Sequence, residues 1–175
     1  MRSVVVFRLR PVDAGVKQLG RMLAYRRAKT PTQWAAELPF ARDPNAIDRA
    51  LRAHVETQNA LNDFLTARGA RTWSPTDDEP EFDLAWVRRS IATVAEVKSI
   101  TLANEDQQLR LGLGQVLDYQ QIMTKAKPEI RAALAIEKAP RSDRWIELCE
   151  RHGVVLVWPG TFDVLVDRQL ATPMA

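Results

Sequence analysis

The chain has 175 residues, 46% hydrophobic and 27% charged, which suits one folded domain of ordinary size with an appendage and excludes a disordered tail. Its single cysteine, Cys149, excludes an internal disulfide and a cysteine-based zinc site, and no apolar run approaches the ~18 residues of a membrane span. The net charge is only +3, but residues 1–30 hold eight basic side chains against Asp13 alone, a net +7. A basic arm on a slightly acidic body points to a polyanion or an acidic partner, or else to a solvated helix face.

The apolar core of the first ten residues is only VVVF, too short for a signal peptide, so a cytoplasmic protein is expected. Residues 3–10 read as a strand, and residues 14–27 carry helical spacing in Val16, Leu19, Met22 and Leu23. Pro31, Pro39 and Pro44 break the pattern. The expected division is a basic N-terminal extension over 1–45, strand plus helix, and a main domain over 46–175.

Asp43 and Pro44 suit the N-cap and first position of a helix that Gly69 closes. Its stripe of Ile47, Leu51, His54, Gln58, Leu61 and Leu65 turns two polar residues inward and leaves Glu56 on the opposite face. Two β-type runs, 82–87 and 91–100, flank Arg88-Arg89-Ser90 and predict a hairpin whose second strand is central in the sheet. A helix follows over 104–125, with Gln108, Leu111, Gly112, Gln115, Tyr119 and Ile122 on one face and Leu109, Leu113, Val116 and Leu117 on another. Gly112 and Gly114 lower its propensity and imply close approach of backbone or substrate. A strand over 130–137, a short helix capped by Ser142 and ended by Gly153, and a last hairpin (154–158 and 162–166) around Pro159-Gly160 complete the reading. The order predicts an α/β sandwich with a mixed sheet.

Chemistry concentrates between residues 82 and 119. Alternation puts Glu96 and Lys98 on one face of their strand, and a loop of two or four residues would set Asp83 opposite Glu96. Two adjacent carboxylates repel unless a cation or Lys98 intervenes, and magnesium takes such hard oxygen ligands. Thr93, Val94, Ala95 and Val97 surround Glu96 with an environment that penalises an idle charge. Gln115 and Tyr119, at i and i+4, can reach one spot.

The set Asp83, Glu96-Val-Lys98 and Gln115-x-x-x-Tyr119 resembles the PD-(D/E)xK nuclease superfamily, and within it the RecB-like branch, over residues 46–170. Phe82 stands where that family's name-giving proline would be. The resemblance implies a restriction-endonuclease-like α/β/α core with a mixed central sheet and hydrolysis of DNA phosphodiesters. It implies Mg2+ (or Mn2+) held by Asp83, Glu96, the Val97 carbonyl and, less closely matched, His54. Gln115 and Tyr119 would help hold the site and the strand. The arm residues Arg21, Arg26 and Arg27 are candidate DNA contacts. An endonuclease or nuclease subunit of a restriction, phage-defence or repair system is expected, working as a homodimer or in a larger nuclease complex. The alternative is a non-catalytic DNA-binding or assembly module. Cys149 alone cannot hold an iron–sulfur cluster.

Overall fold

A computed structural model of the protein describes residues 24–25, 44–125 and 129–167. The helix α1 (Pro44–Ala67) is followed by strands β1 (Arg71–Trp73), β2 (Leu84–Arg88) and β3 (Ile91–Lys98), then α2 (Glu105–Thr124), β4 (Ile130–Ile136), α3 (Arg144–Arg151), β5 (Val154–Val157) and α4 (Asp163–Asp167). The strands form one open sheet in the order β1-β2-β3-β4-β5. β1, β2 and β3 are joined antiparallel; β3, β4 and β5 are parallel. The connection lengths explain this. Two residues suffice to reverse the chain between β2 and β3, whereas parallel neighbours need a crossover, which α2 and α3 supply.

Helices cover both faces. On one, Val94, Leu134 and Leu156 pack with Leu109, Val116, Trp145 and Cys149 of α2 and α3. On the other, Ala95, Val97, Ala133 and Val157 pack with Leu61 and Leu65 of α1 and with Phe162 and Leu165 at α4. β3 lies in the middle, and six of its eight residues are buried. The β2–β3 turn is Arg89-Ser90, both at positive φ (49° and 70°), the backbone of a type I′ hairpin turn.

The expected α/β class, mixed sheet, β2–β3 hairpin and the helices at α1, α2 and α3 are present, and Gly69 closes α1 at φ +78°. Several details differ. β1 is an additional strand, three residues long. The predicted last hairpin is half helix: Phe162 and Leu165, three apart, are both buried, and Phe162 meets the Phe64 ring edge-on at 5.5 Å. α3 is capped at Asp143, not Ser142, whose carbonyl accepts from the Trp145 amide at 3.2 Å. On α2, Leu111 and Ile122 are exposed because the sheet covers only the Leu109–Val116 face. Gly112 is needed, since a Cβ there would lie 2.6 Å from Leu134 Cδ1 and 3.0 Å from Lys98 Cγ; Gly114 faces open space. At Ala24 the helix predicted over 14–27 gives way to an antiparallel bridge with Trp73, and Tyr25 donates to Asn59 at 2.9 Å. The rest of that helix, the strand over 3–10 and the Asp43 cap lie outside the described residues.

Candidate active site

The site forms where the antiparallel ladder ends. In a hairpin with a two-residue turn, Arg88 and Ile91 make a hydrogen-bonded pair, and pairs then alternate along the strands. Leu84 pairs with Ala95, so the register continued by one residue sets Asp83 opposite Glu96 in a non-hydrogen-bonded position. Such positions bring facing side chains closest, with Cα atoms about 4.5 Å apart. The loop of two residues therefore gives the juxtaposition expected from sequence.

Asp83 is a bend residue just before β2. Its Oδ2 accepts from the Val97 amide at 2.7 Å, and its Oδ1 lies 3.2 Å from His54 Nε2. The main-chain carbonyl accepts from Gln58 Nε2 at 2.6 Å. A continued ladder would also have offered the Phe82 amide to the Val97 carbonyl, but Phe82 donates to Pro80 instead, at 2.8 Å. In an extended strand the Val97 carbonyl faces the same edge as its amide, the edge at which the Asp83 carboxylate is bound.

Glu96 is buried, with its side chain 5% exposed. Lys98 Nζ donates to its Oε1 at 2.5 Å, while Oε2 is buried without a well-formed hydrogen bond and the Tyr119 phenol lies close to the carboxylate. Burial, and then the charge of Asp83, push the Glu96 carboxyl up to about 7, against the opposing effects of Lys98 and His54. Burial pulls His54 down, but its bond to Asp83 and the charges of Asp83 and Glu96 outweigh this and raise it above the ordinary value.

Helix α2 closes the site from the other side. Gly112 lets it approach Lys98 and Leu134. Tyr119 is 8% exposed, and its hydroxyl accepts from Gln115 Nε2 at 3.3 Å. Burial and the neighbouring Glu96 charge push the phenol up to about 12, so it remains a hydrogen-bond donor at neutral pH. Gln115 Oε1 is a second buried oxygen without a partner. Two unsatisfied acceptors beside an acidic pair are unusual in a folded interior, and a bound cation or a donor from a ligand would satisfy them.

Among the described residues no three His, Cys, Asp or Glu side chains cluster tightly enough to hold a metal ion by themselves. The available donor set is the two carboxylates, the Val97 carbonyl and water, which matches the few-carboxylate shell of magnesium. The raised Glu96 pKa and its unpartnered oxygen fit a site that gains from a cation.

A cleft of about 650 Å³ opens beside these groups between α1 and the start of α2, lined by Arg49, His54, Lys98, Ser99, Asn104 and Gln108 among others. Thus Asp83, Glu96, Val97, Lys98 and His54 come together, with Tyr119 near Glu96 and Gln115 bonded to Tyr119. Arg21, Arg26 and Arg27 lie outside the described residues. Sequence reasoning assigned no role to Arg49, Ser99, Asn104 or Gln108. It noted the inward turn of Gln58 without finding its partner, although a glutamine in an apolar stripe was the available signal. Among the described residues no helix is long and apolar enough to cross a membrane. Compared with known proteins, the chain matches no family model, no curated protein and no solved structure.

Proposed function

We propose that this protein is a divalent-metal-dependent DNA nuclease of the PD-(D/E)xK kind, RecB-like, on a restriction-endonuclease-like core. The observation that carries this reading is the close placement of Asp83 and Glu96 across the β2–β3 hairpin, with Lys98 on one Glu96 oxygen and the other buried without a well-formed hydrogen bond. Asp83, Glu96 and the Val97 carbonyl would hold the ion. Magnesium or manganese supplies polarisation of the phosphoryl oxygen and a bound water of lowered pKa.

The chain's own groups do the rest. Lys98 neutralises Glu96 and, as a flexible multi-donor ammonium, orients the attacking water. His54 steadies the Asp83 carboxylate. Tyr119 and Gln115 present a phenol and an amide beside Glu96 to the strand. The cleft lined by Arg49, Ser99, Asn104 and Gln108 receives the nucleic acid next to the scissile phosphate, and the basic arm with Arg21, Arg26 and Arg27 adds contacts on charge alone. The proposed setting is a restriction, phage-defence or repair system, with the chain working as a homodimer or as a subunit of a larger nuclease complex.

The experiment is incubation of the full chain with supercoiled plasmid and with single- and double-stranded oligonucleotides of DNA and RNA. Mg2+ or Mn2+ should support cutting, Ca2+ should support it poorly, and excess EDTA should stop it. Cutting in EDTA overturns the metal mechanism. DNA binding without cutting under any divalent ion leaves the non-catalytic module.

A further inference from the structure

We infer that Gln58 is a positioning residue that locks the backbone of Asp83, and through it the carboxylate pair; this rests on the nuclease reading above. The reason lies in the pairing of β1 with β2. Trp73 pairs with Ala85 and Arg71 with Val87. Ala85 sits in a non-hydrogen-bonded position toward β3, so its amide and carbonyl point toward β1. Asp83, two residues earlier, points its carbonyl the same way. Continuing the β1–β2 register by two residues would set Pro75 against it. Proline has no amide hydrogen, so the ladder has no donor for the Asp83 carbonyl.

Gln58 supplies the missing donor. It is 7% exposed, and its Nε2 lies 2.6 Å from the Asp83 oxygen. A carbonyl can only accept, so the amide nitrogen must face it. One turn earlier on α1, His54 reaches Asp83 Oδ1. From the opposite strand, the Val97 amide holds Oδ2. Asp83 is therefore held at three oxygens by three residues of two elements, α1 and β3, although it lies outside the ladder. Without Gln58 the bend would be free to turn, and both carboxylate contacts would loosen with it. Displacements of this kind, one shell behind the ligands, are costly for metal sites.

The test uses Gln58→Met, which keeps the bulk and removes the donor, and Gln58→Asn, which keeps the amide but draws it back by one methylene. Thr57→Val is the control: Thr57 is equally buried on the same turn, but its hydroxyl donates to Ala53, not to Asp83. Mn2+ binding is measured by calorimetry on the folded full chain, and kcat and KM on an oligonucleotide. Gln58→Met should lose about 10- to 100-fold in Mn2+ affinity and in kcat, with Gln58→Asn between it and wild type. KM for the oligonucleotide should stay near the wild-type value in both, and Thr57→Val should keep the Mn2+ affinity. Wild-type Mn2+ affinity in both folded Gln58 variants overturns the positioning role alone. Absence of Mn2+ binding to the wild type overturns the nuclease reading and this inference with it.

Discussion

Glu96 and Glu105 are both buried glutamates, 4% and 3% exposed, yet their surroundings are opposite. Glu105 opens α2, where a negative charge suits the helix dipole. Its Oε1 accepts from the Arg141 amide at 3.1 Å and its Oε2 from Arg141 Nε at 3.2 Å. Glu96 sits mid-sheet beside another carboxylate, with one oxygen on Lys98 and the other without a well-formed hydrogen bond, the Tyr119 phenol lying close by. One site is complete as folded. The other, under the proposed function, would be completed by a divalent ion. A buried charge whose own bonds are satisfied needs nothing more, whereas a buried carboxylate short of donors is where the proposed ion would be most favourable.

Catalytic activity should separate the two glutamates most strongly. Asp83→Asn, Glu96→Gln and Lys98→Ala should each lower Mg2+-dependent cleavage by roughly 10³-fold or more, as expected for groups acting as a unit. Glu105→Gln should retain the wild-type rate per folded molecule. Plasmid nicking with circular dichroism on the same samples separates the two. Equal losses at both glutamates would erase the distinction.

A second effect concerns stability and has a definite sign. The Glu96 carboxyl is raised from 4.5 to about 7 in the fold. Its stabilising contribution is thus fully present below about pH 4.5 and is lost as pH rises through about 7. At pH 8 without divalent ions, Glu96→Gln should unfold at higher denaturant than wild type, by at most about 3 kcal/mol. Mg2+ should narrow the gap by stabilising only the wild type. Glu105→Gln should give no gain at pH 8, because both Glu105 oxygens already have partners. Urea titrations at pH 5 and pH 8, with and without Mg2+, measure all three.

The smallest effect tests α2, which begins at Glu105 and packs Gly112 against Lys98 beside Glu96. Gly112→Ala would press a methyl against Leu134 and Lys98 and should cost about 1–3 kcal/mol, with loss of activity as Lys98 is displaced. Gly114→Ala meets nothing and should stabilise the helix by up to about 1 kcal/mol. Thermal unfolding of both variants checks the pair. A neutral Gly112→Ala would mean that α2 does not press on the site.

The acidic pair was legible in the sequence because its information is local. Strand alternation puts Glu96 and Lys98 on one face, and the length of one turn puts Asp83 opposite. The apolar runs of β2, β3 and β4 and the glycine ends of α1 and α3 were readable for the same reason: periodicity and backbone freedom act over a few residues. Where the chain offered two apolar faces, as on α2, only the sheet beneath decided that Leu109 and Val116 turn inward while Leu111 and Ile122 face solvent. Residues 162–166 suit a strand by composition, and only packing of Phe162 against Phe64 made that segment helical. β1 is too short to show a period and exists because β2 offers it an edge. The partners of Gln58 and the unsatisfied oxygen of Glu96 belong to the same class. A hydrogen bond between residues 25 positions apart, or the lack of one, depends on how elements dock, and docking is set by the whole core rather than by any stretch of sequence.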